Sequence, residues 1–192
     1  TPQAIDYRHE VFRDLESSAT SVHIESFGQS MHEMRRLLDL RAKLHYQRQQ
    51  QRLFLEAVRR YCAAVENLVD GLSSIRLRAR GLVAFRNYLT AYAESESFTR
   101  MASEAAGIEK ELSGIGYCLR IVGNRIDVTR YEGESDFSAY GAATFERFRR
   151  GQPKRYLVKV NDCVSMNHVE AGVVDRVALL YPDIFALLEP FD

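Results

Sequence analysis

The side chains best suited to chemistry form a sparse set. Cys118, Cys163 and His168 are of the types that ligate zinc, and Cys163 and His168 stand five residues apart. A structural zinc site draws on two close pairs of ligands, and the sequence holds no C-x-x-C and no second pair. Cys118 therefore reads as a packed strand residue and His168 as a first-turn helix residue. His9, His23, His32 and His45 fall in charged helical stretches and read as surface or interface histidines. Cys62 falls on an apolar helical seam, where a small buried thiol is ordinary. There is no G-x-x-x-x-G-K-[ST] loop, no G-x-G-x-x-G and no G-x-S-x-G. Gly114 and Gly116 precede a strand, so the helix N-terminus that would complete a phosphate cradle is missing. No catalytic residue, metal ligand or cofactor is assigned within this chain. An enzyme acting through a thiol such as Cys163 stands as a rival reading.

Charge is more informative than nucleophiles. Between residues 115 and 162, nine Lys and Arg face six acids, while the remainder carries 17 against 20. Five of the basic residues crowd into "RFRRGQPKR": Arg147, Arg149, Arg150, Lys154 and Arg155. Such a run is either a solvated charged loop or a surface for phosphates, whose contacts are electrostatic and independent of base sequence. These five are the candidate nucleic-acid-binding residues.

The elements that must carry this cluster follow from hydrophobic periodicity. Thr1-Pro2 opens a helix, with Ile5, His9, Phe12 and Leu15 or Glu16 at helical spacing. Ser30 and Glu33 have the spacing of a capping box before Met31, Met34, Leu37, Leu38 and Leu40. Phe54, Val58, Tyr61, Val65, Leu68, Leu72 and Ile75 step by 4, 3, 4, 3, 4, 3, a heptad seam that predicts one long packed helix. Two further helices are predicted, separated near residues 95–97, the second weakly apolar and so more exposed.

At Gly116 the period drops to two. "GYCLRIVGNRIDVTRYEG" carries a Gly123-Asn124 pair that suits a two-residue hairpin connection. In that register Ile121 faces Ile126 and Leu119 faces Val128 on one side; Arg120 meets Asp127 and Cys118 meets Thr129 on the other. A one-residue slip would invert the faces. A lone hairpin is marginal, so cover is expected: "KRYLVKV", 154–160, as a third strand, and "FSAYGAATFERFRR" with Phe137, Tyr140, Phe145 and Phe148 as a helix on the apolar side. Asn167 and Glu170 form another capping box, followed by Val169, Val173, Val177 and Leu180; Pro182 kinks or restarts the helix.

The fold class predicted is mainly α: long helical core and lever helices with a small antiparallel α/β insert resembling a clamp. The expected domains are a helical core and outgoing lever over 1–114, the insert over 115–162 and a returning lever helix over 163–192. The 192 residues are 46% hydrophobic with net charge zero, which excludes global disorder and any global basic footprint. Three cysteines and no apolar run near 18 residues point to a reducing, cytoplasmic setting with no membrane partner. The first residue, Thr, reads as the start of a piece cut from a longer protein.

The order and the motifs resemble the central region of the MutS family of DNA mismatch-repair ATPases. The family's clamp strand, roughly G-x-x-I-E-V-T-K, is similar to Gly123-Asn124-Arg125-Ile126-Asp127-Val128-Thr129-Arg130. "IDYRHEVFRDLE" and "MHEMRRLL" resemble the opening of its core domain, and the likeness extends over nearly the whole chain. The resemblance implies a mechanical, non-enzymatic fragment that grips duplex DNA by its backbone. It also implies an ATPase domain elsewhere in the full protein, which would bind ATP and magnesium and form a homodimer. The Phe-x-Glu of the mismatch reader has no counterpart in role here: Phe54-Leu55-Glu56 lies inside the heptad helix. The alternative reading is a helical arm whose tip docks a protein partner without touching DNA.

Overall fold

In the computed structural model, residues 2–122, 125–133 and 166–191 are described. They are mainly α, with one two-stranded antiparallel sheet. The order is α1 (Pro2–Glu16), α2 (Ser18–Arg41), α3 (Gln47–Ser73), α4 (Arg80–Ala93), α5 (Glu96–Ser113), β1 (Tyr117–Val122), β2 (Arg125–Arg130), α6 (His168–Leu180) and α7 (Pro182–Ala186). A 3-10 turn, Glu189–Phe191, closes the described chain. The chain forms two compact units, residues 1–113 with 183–192, and residues 114–182.

The first unit is built around α3, which packs against α2, α4, α5 and the 3-10 turn. Its seam faces two joined clusters. Cys62, Val65 and Phe98 pack with Phe27, Val58, Tyr61 and Tyr92. Leu68, Leu72 and Leu89 pack with Ile24, Phe27 and Ile75. Phe27 of α2 belongs to both, so α2 runs along the seam. Tyr92 and Tyr61 each meet the Phe98 ring edge-on, with centroids 5.2 and 6.3 Å apart, the geometry that the ring quadrupoles favour.

The heptad describes only the later part of α3. In the N-terminal half the buried positions alternate as Gln49, Gln51, Leu53, Leu55 and Ala57. On a helix, every second residue falls on nearly opposite sides, so this half is enclosed from two directions. The returning chain is one source of cover: Phe185 and Leu188 are buried, and the Arg48 guanidinium lies 5.4 Å from the Phe185 ring centroid. Phe54, counted in the seam, is half-buried beneath the Arg41 guanidinium. Ile75 lies past the end of α3.

One local expectation is corrected. Ser30 does not cap a helix: it lies inside α2, its hydroxyl donating to the Ser26 carbonyl at 2.9 Å while Gln29 bonds Glu33. The helix already began at Ser18, after Ser17 with its extended backbone. A mid-helix serine satisfies itself on the i−4 carbonyl, so the S-x-x-E spacing was present without the cap. On α1, Ile5 and Phe12 are exposed, and the buried residue is Asp14.

The returning segment, in which Pro182 is expected to kink or restart the helix, holds α6 and α7. α6 groups with the hairpin, and residues 183–192 group with the helical unit. The break falls where Pro182 opens α7, as its missing N–H requires. The predicted third strand, 154–160, and the predicted helix over 137–150 lie outside the described residues.

Candidate nucleic-acid interface

The hairpin pairs Cys118 with Thr129, Leu119 with Val128, Arg120 with Asp127, Ile121 with Ile126 and Val122 with Arg125. β1 ends at Val122 and β2 begins at Arg125, which suits the two-residue spacing. Alternation then sorts the side chains. Leu119, Ile126 and Val128 share one face, with Tyr117 and Arg130 at its base. Cys118, Arg120, Arg125, Asp127 and Thr129 share the other.

The second face is polar and carries the cations. Arg125 Nε donates to Asp127 Oδ1 at 2.9 Å, across two residues of the same strand. Arg120 stands opposite Asp127 and is exposed. One carboxylate thus shares this face with two guanidiniums, leaving net positive charge on it.

The first face turns toward α6, which packs on β2. α6 starts cleanly because its capping box is complete. Asn167 Oδ1 accepts from the N–H groups of Val169 and Glu170 at 2.9 and 3.0 Å, and Glu170 Oε2 accepts from Asn167 N–H at 2.8 Å. Two arginines fasten helix to strand. Arg176 donates to the Ile126 carbonyl. Arg130 donates through Nε to the Leu180 carbonyl at 3.0 Å, at the end of α6, and lies over the Tyr181 ring at 4.9 Å. A cation there satisfies an orphan carbonyl and complements the helix dipole. The Tyr181 hydroxyl donates to the Gly116 carbonyl at 2.5 Å, and Tyr131 N–H donates to the same oxygen at 3.2 Å. The base of the hairpin and the end of α6 therefore close on one another.

Between β2 and α6 lies a shallow cleft of about 290 Å³ lined by Ile126, His168, Val169, Gly172, Val173 and Arg176. Its walls are mostly apolar, with one imidazole and one guanidinium, and hold no pairing of nucleophile and base. Among the described residues, no group of three His, Cys, Asp or Glu side chains is placed to hold a metal ion. His168 is exposed in the first turn of α6, and Cys118 is half-buried on β1. Cys163 lies outside the described residues.

The five predicted phosphate contacts, Arg147, Arg149, Arg150, Lys154 and Arg155, also lie outside the described residues. The arginines that the structure does place on or beside the hairpin are Arg120, Arg125, Arg130 and Arg176. The strand alternation separates Arg120 and Arg125 from Arg130 in the sequence itself. Arg176 has no such signal, because its partner carbonyl lies 50 residues away. No helix among the described residues is long and apolar enough to cross a membrane.

No protein-family model, no curated protein and no solved structure matches the chain.

Proposed function

We propose that this chain is the core, lever and clamp portion of a MutS-like DNA-repair ATPase, in which the hairpin unit grips the duplex backbone. The observation that carries the reading is the insertion. The chain leaves the helical unit after Ser113, builds a hairpin and a capped helix, and rejoins the helical unit at Asp183. A unit inserted this way has both its ends in the helical unit's sequence. The exposed Arg120 and Arg125 add cations on one face of the hairpin, and the sequence between β2 and α6 holds the dense basic run at 147–155. Contacts of this kind position a protein on DNA without reading bases.

In this reading the fragment performs no chemistry. ATP and magnesium belong to an ATPase domain outside this chain, through which the full protein pairs as a homodimer in the cytoplasm. The second reading, a tip that docks a protein, draws on Tyr117, Leu119 and Tyr131, which are 45%, 48% and 50% exposed at the hairpin base.

Titrating fluorescent duplex DNA with the 192-residue chain at several salt concentrations separates the two. Binding in the range of about 10⁻⁴ to 10⁻⁶ M is expected, with log K falling by roughly 0.9 per phosphate contact for each unit of log salt. Changing Arg149, Arg150 and Arg155 together to Glu should weaken binding and flatten that slope equally for matched and mismatched duplexes. Unaltered affinity and slope in the triple variant would remove the DNA reading and leave protein docking in its place.

A further inference from the structure

A second cleft, of about 330 Å³, lies in the helical unit where α1 gives way to α2. It is formed by the end of α1, the first turn of α2 and the connection from α3 to α4, and Arg13, Asp14, Ser17, Thr20, Arg76 and Arg78 line it. None of these residues enters the function proposed above.

The cleft has a rigid frame. Asp14 is buried, and its Oδ2 accepts from the backbone N–H groups of Arg78 and Ala79 at 2.8 and 2.7 Å. Ala79 is the N-cap of α4 and has no side chain to cap with. The carboxylate of α1 instead takes the N–H of that N-cap and of the residue before it. The connection that carries Arg76 and Arg78 is thereby held against α1.

The rim is cationic. Arg13, Arg76 and Arg78 are exposed, and among the described residues none of them forms an ion pair with a carboxylate, Glu16 of the cleft included. Three guanidiniums against the two carboxylates of Asp14 and Glu16 leave the hollow net positive, a field that favours a further anion. The N-terminus of α2 opens into the same hollow. Its N-cap, Ser17, uses no side-chain atom to take a first-turn N–H, so the positive end of a 24-residue helix adds to the field.

The independent observation is Thr20. It is 1% exposed, it lines the cleft, and its Oγ1 has no hydrogen-bond partner. Buried hydroxyls are nearly always paired, and an unpaired one is costly. Thr20 stands in the first turn of α2, where its O–H can donate to a group seated at the helix end.

We propose that this cleft binds a phosphate-type oxyanion, held by the Thr20 hydroxyl, the first turn of α2 and the guanidiniums of Arg13, Arg76 and Arg78. A tetrahedral dianion offers an acceptor in each of these directions at once, which a planar carboxylate does not. The volume stands at the low end of the roughly 300–1,000 Å³ typical of small-molecule sites. It admits a phosphate together with part of the molecule that bears it.

The test is calorimetric titration of the 192-residue chain with inorganic phosphate, against chloride at matched ionic strength, with thermal unfolding alongside. Saturable binding is expected at roughly millimolar Kd or tighter, with a phosphate-dependent rise in Tm. Arg76→Gln with Arg78→Gln should weaken binding roughly tenfold or more, since charge-assisted bonds are the strong ones. Thr20→Val should weaken it severalfold while leaving the phosphate-free Tm equal or higher, because an unpaired hydroxyl has been removed. No saturable heat, equal binding by the arginine variant, or a lowered phosphate-free Tm in Thr20→Val would each overturn the proposal. A nucleoside monophosphate and a short DNA duplex serve as competitors that tell a small phosphate from a backbone phosphodiester. The Arg149, Arg150 and Arg155 triple variant should bind phosphate like the parent, so failure here is distinct from failure of the DNA reading.

Discussion

The imidazole of His23 on α2 occupies the space that a side chain on Gly71 of α3 would need. A Cβ built on Gly71 would lie 2.3 Å from His23 Nδ1, 2.5 Å from Cγ and 2.6 Å from Cε1. No real Cβ tolerates such contacts, and the obstruction is the body of the ring rather than the end of a flexible chain. Gly71 is therefore what allows α2 and α3 to approach in this part of the core.

Gly71→Ala should destabilise the chain by about 1–3 kcal/mol, the usual cost of overpacking, although alanine gains about 1 kcal/mol in helix propensity. In a His23→Ala background the sign should reverse, because only the propensity gain is left. Urea unfolding of the four proteins of this cycle measures both effects. An equal loss in the two backgrounds would show that His23 is not the obstacle.

Asp14 joins α1 to the start of α4, so its removal strands two backbone donors. Asp14→Ala should cost about 2–4 kcal/mol, more than an exposed N-cap, since the N–H of Ala79 is buried with it. Asp14→Asn keeps an acceptor and should retain part of that stability. A loss below about half a kcal/mol for Asp14→Ala, read from the urea midpoint at unchanged m-value, would contradict the link.

Leu68 is 2% exposed in the seam of α3, and Leu179 on α6 is 80% exposed. Leu68→Ala should cost about 2–5 kcal/mol. Leu179→Ala should stay within about half a kcal/mol, as surface changes do. Comparable losses at the two sites would mean that the phase of one helix is misassigned.

Tyr61 gives the chain an alkaline limit. Burial, then the hydrogen bond with the Tyr92 hydroxyl at 2.8 Å, holds its phenol well above the usual tyrosine range. A folded-state pKa raised above the unfolded value contributes stability that is complete below the unfolded pKa, about 10. That contribution is lost as pH rises through the folded value. Burial, with Glu66 nearby, likewise pushes the Cys62 thiol up. Stability measured against pH should be level to about pH 8.5 and then decline, and Tyr61→Phe should make the decline above pH 10 shallower. Cys62 should label with a thiol reagent only as fast as the core opens. A decline above pH 10 that is unchanged in Tyr61→Phe would assign the limit to other groups.

What was legible in the sequence is what short-range physics decides. The hairpin register came from alternation around Gly123-Asn124, where pairing Arg120 with Asp127 also pairs Leu119 with Val128. The start of α6 came from Asn167 and Glu170, whose reciprocal bonds span three residues. The break between α4 and α5 came from the polar run at residues 95–97. Each is settled within a turn or a pair of strands, so the signal and its consequence lie together.

Ser30 and Glu33 show where such signals fail. Their spacing satisfies a local rule, but Ser17 had already started the helix, and a local pattern does not record which of two starts is used. The later seam of α3 was legible for the same reason that its first half was not. A heptad reports one buried face, whereas Gln49, Gln51, Leu53, Leu55 and Ala57 are enclosed on two.

The sequence by itself determined that this chain is mainly helical, that a hairpin interrupts it, and which face of that hairpin is apolar. Tertiary structure alone decided that Asp14 holds the two N–H groups just before α4, 64 and 65 residues away, that Arg130 and Arg176 bind α6 and β2 across 50 residues, and that residues 183–192 return to α3. It alone brought Arg13, Arg76 and Arg78, none of which forms an ion pair among the described residues, to one cleft with Thr20. The reason is that these relations depend on which helix faces meet and where the chain closes. That is fixed by packing the whole unit to density, and periodicity along one strand or helix carries no record of it.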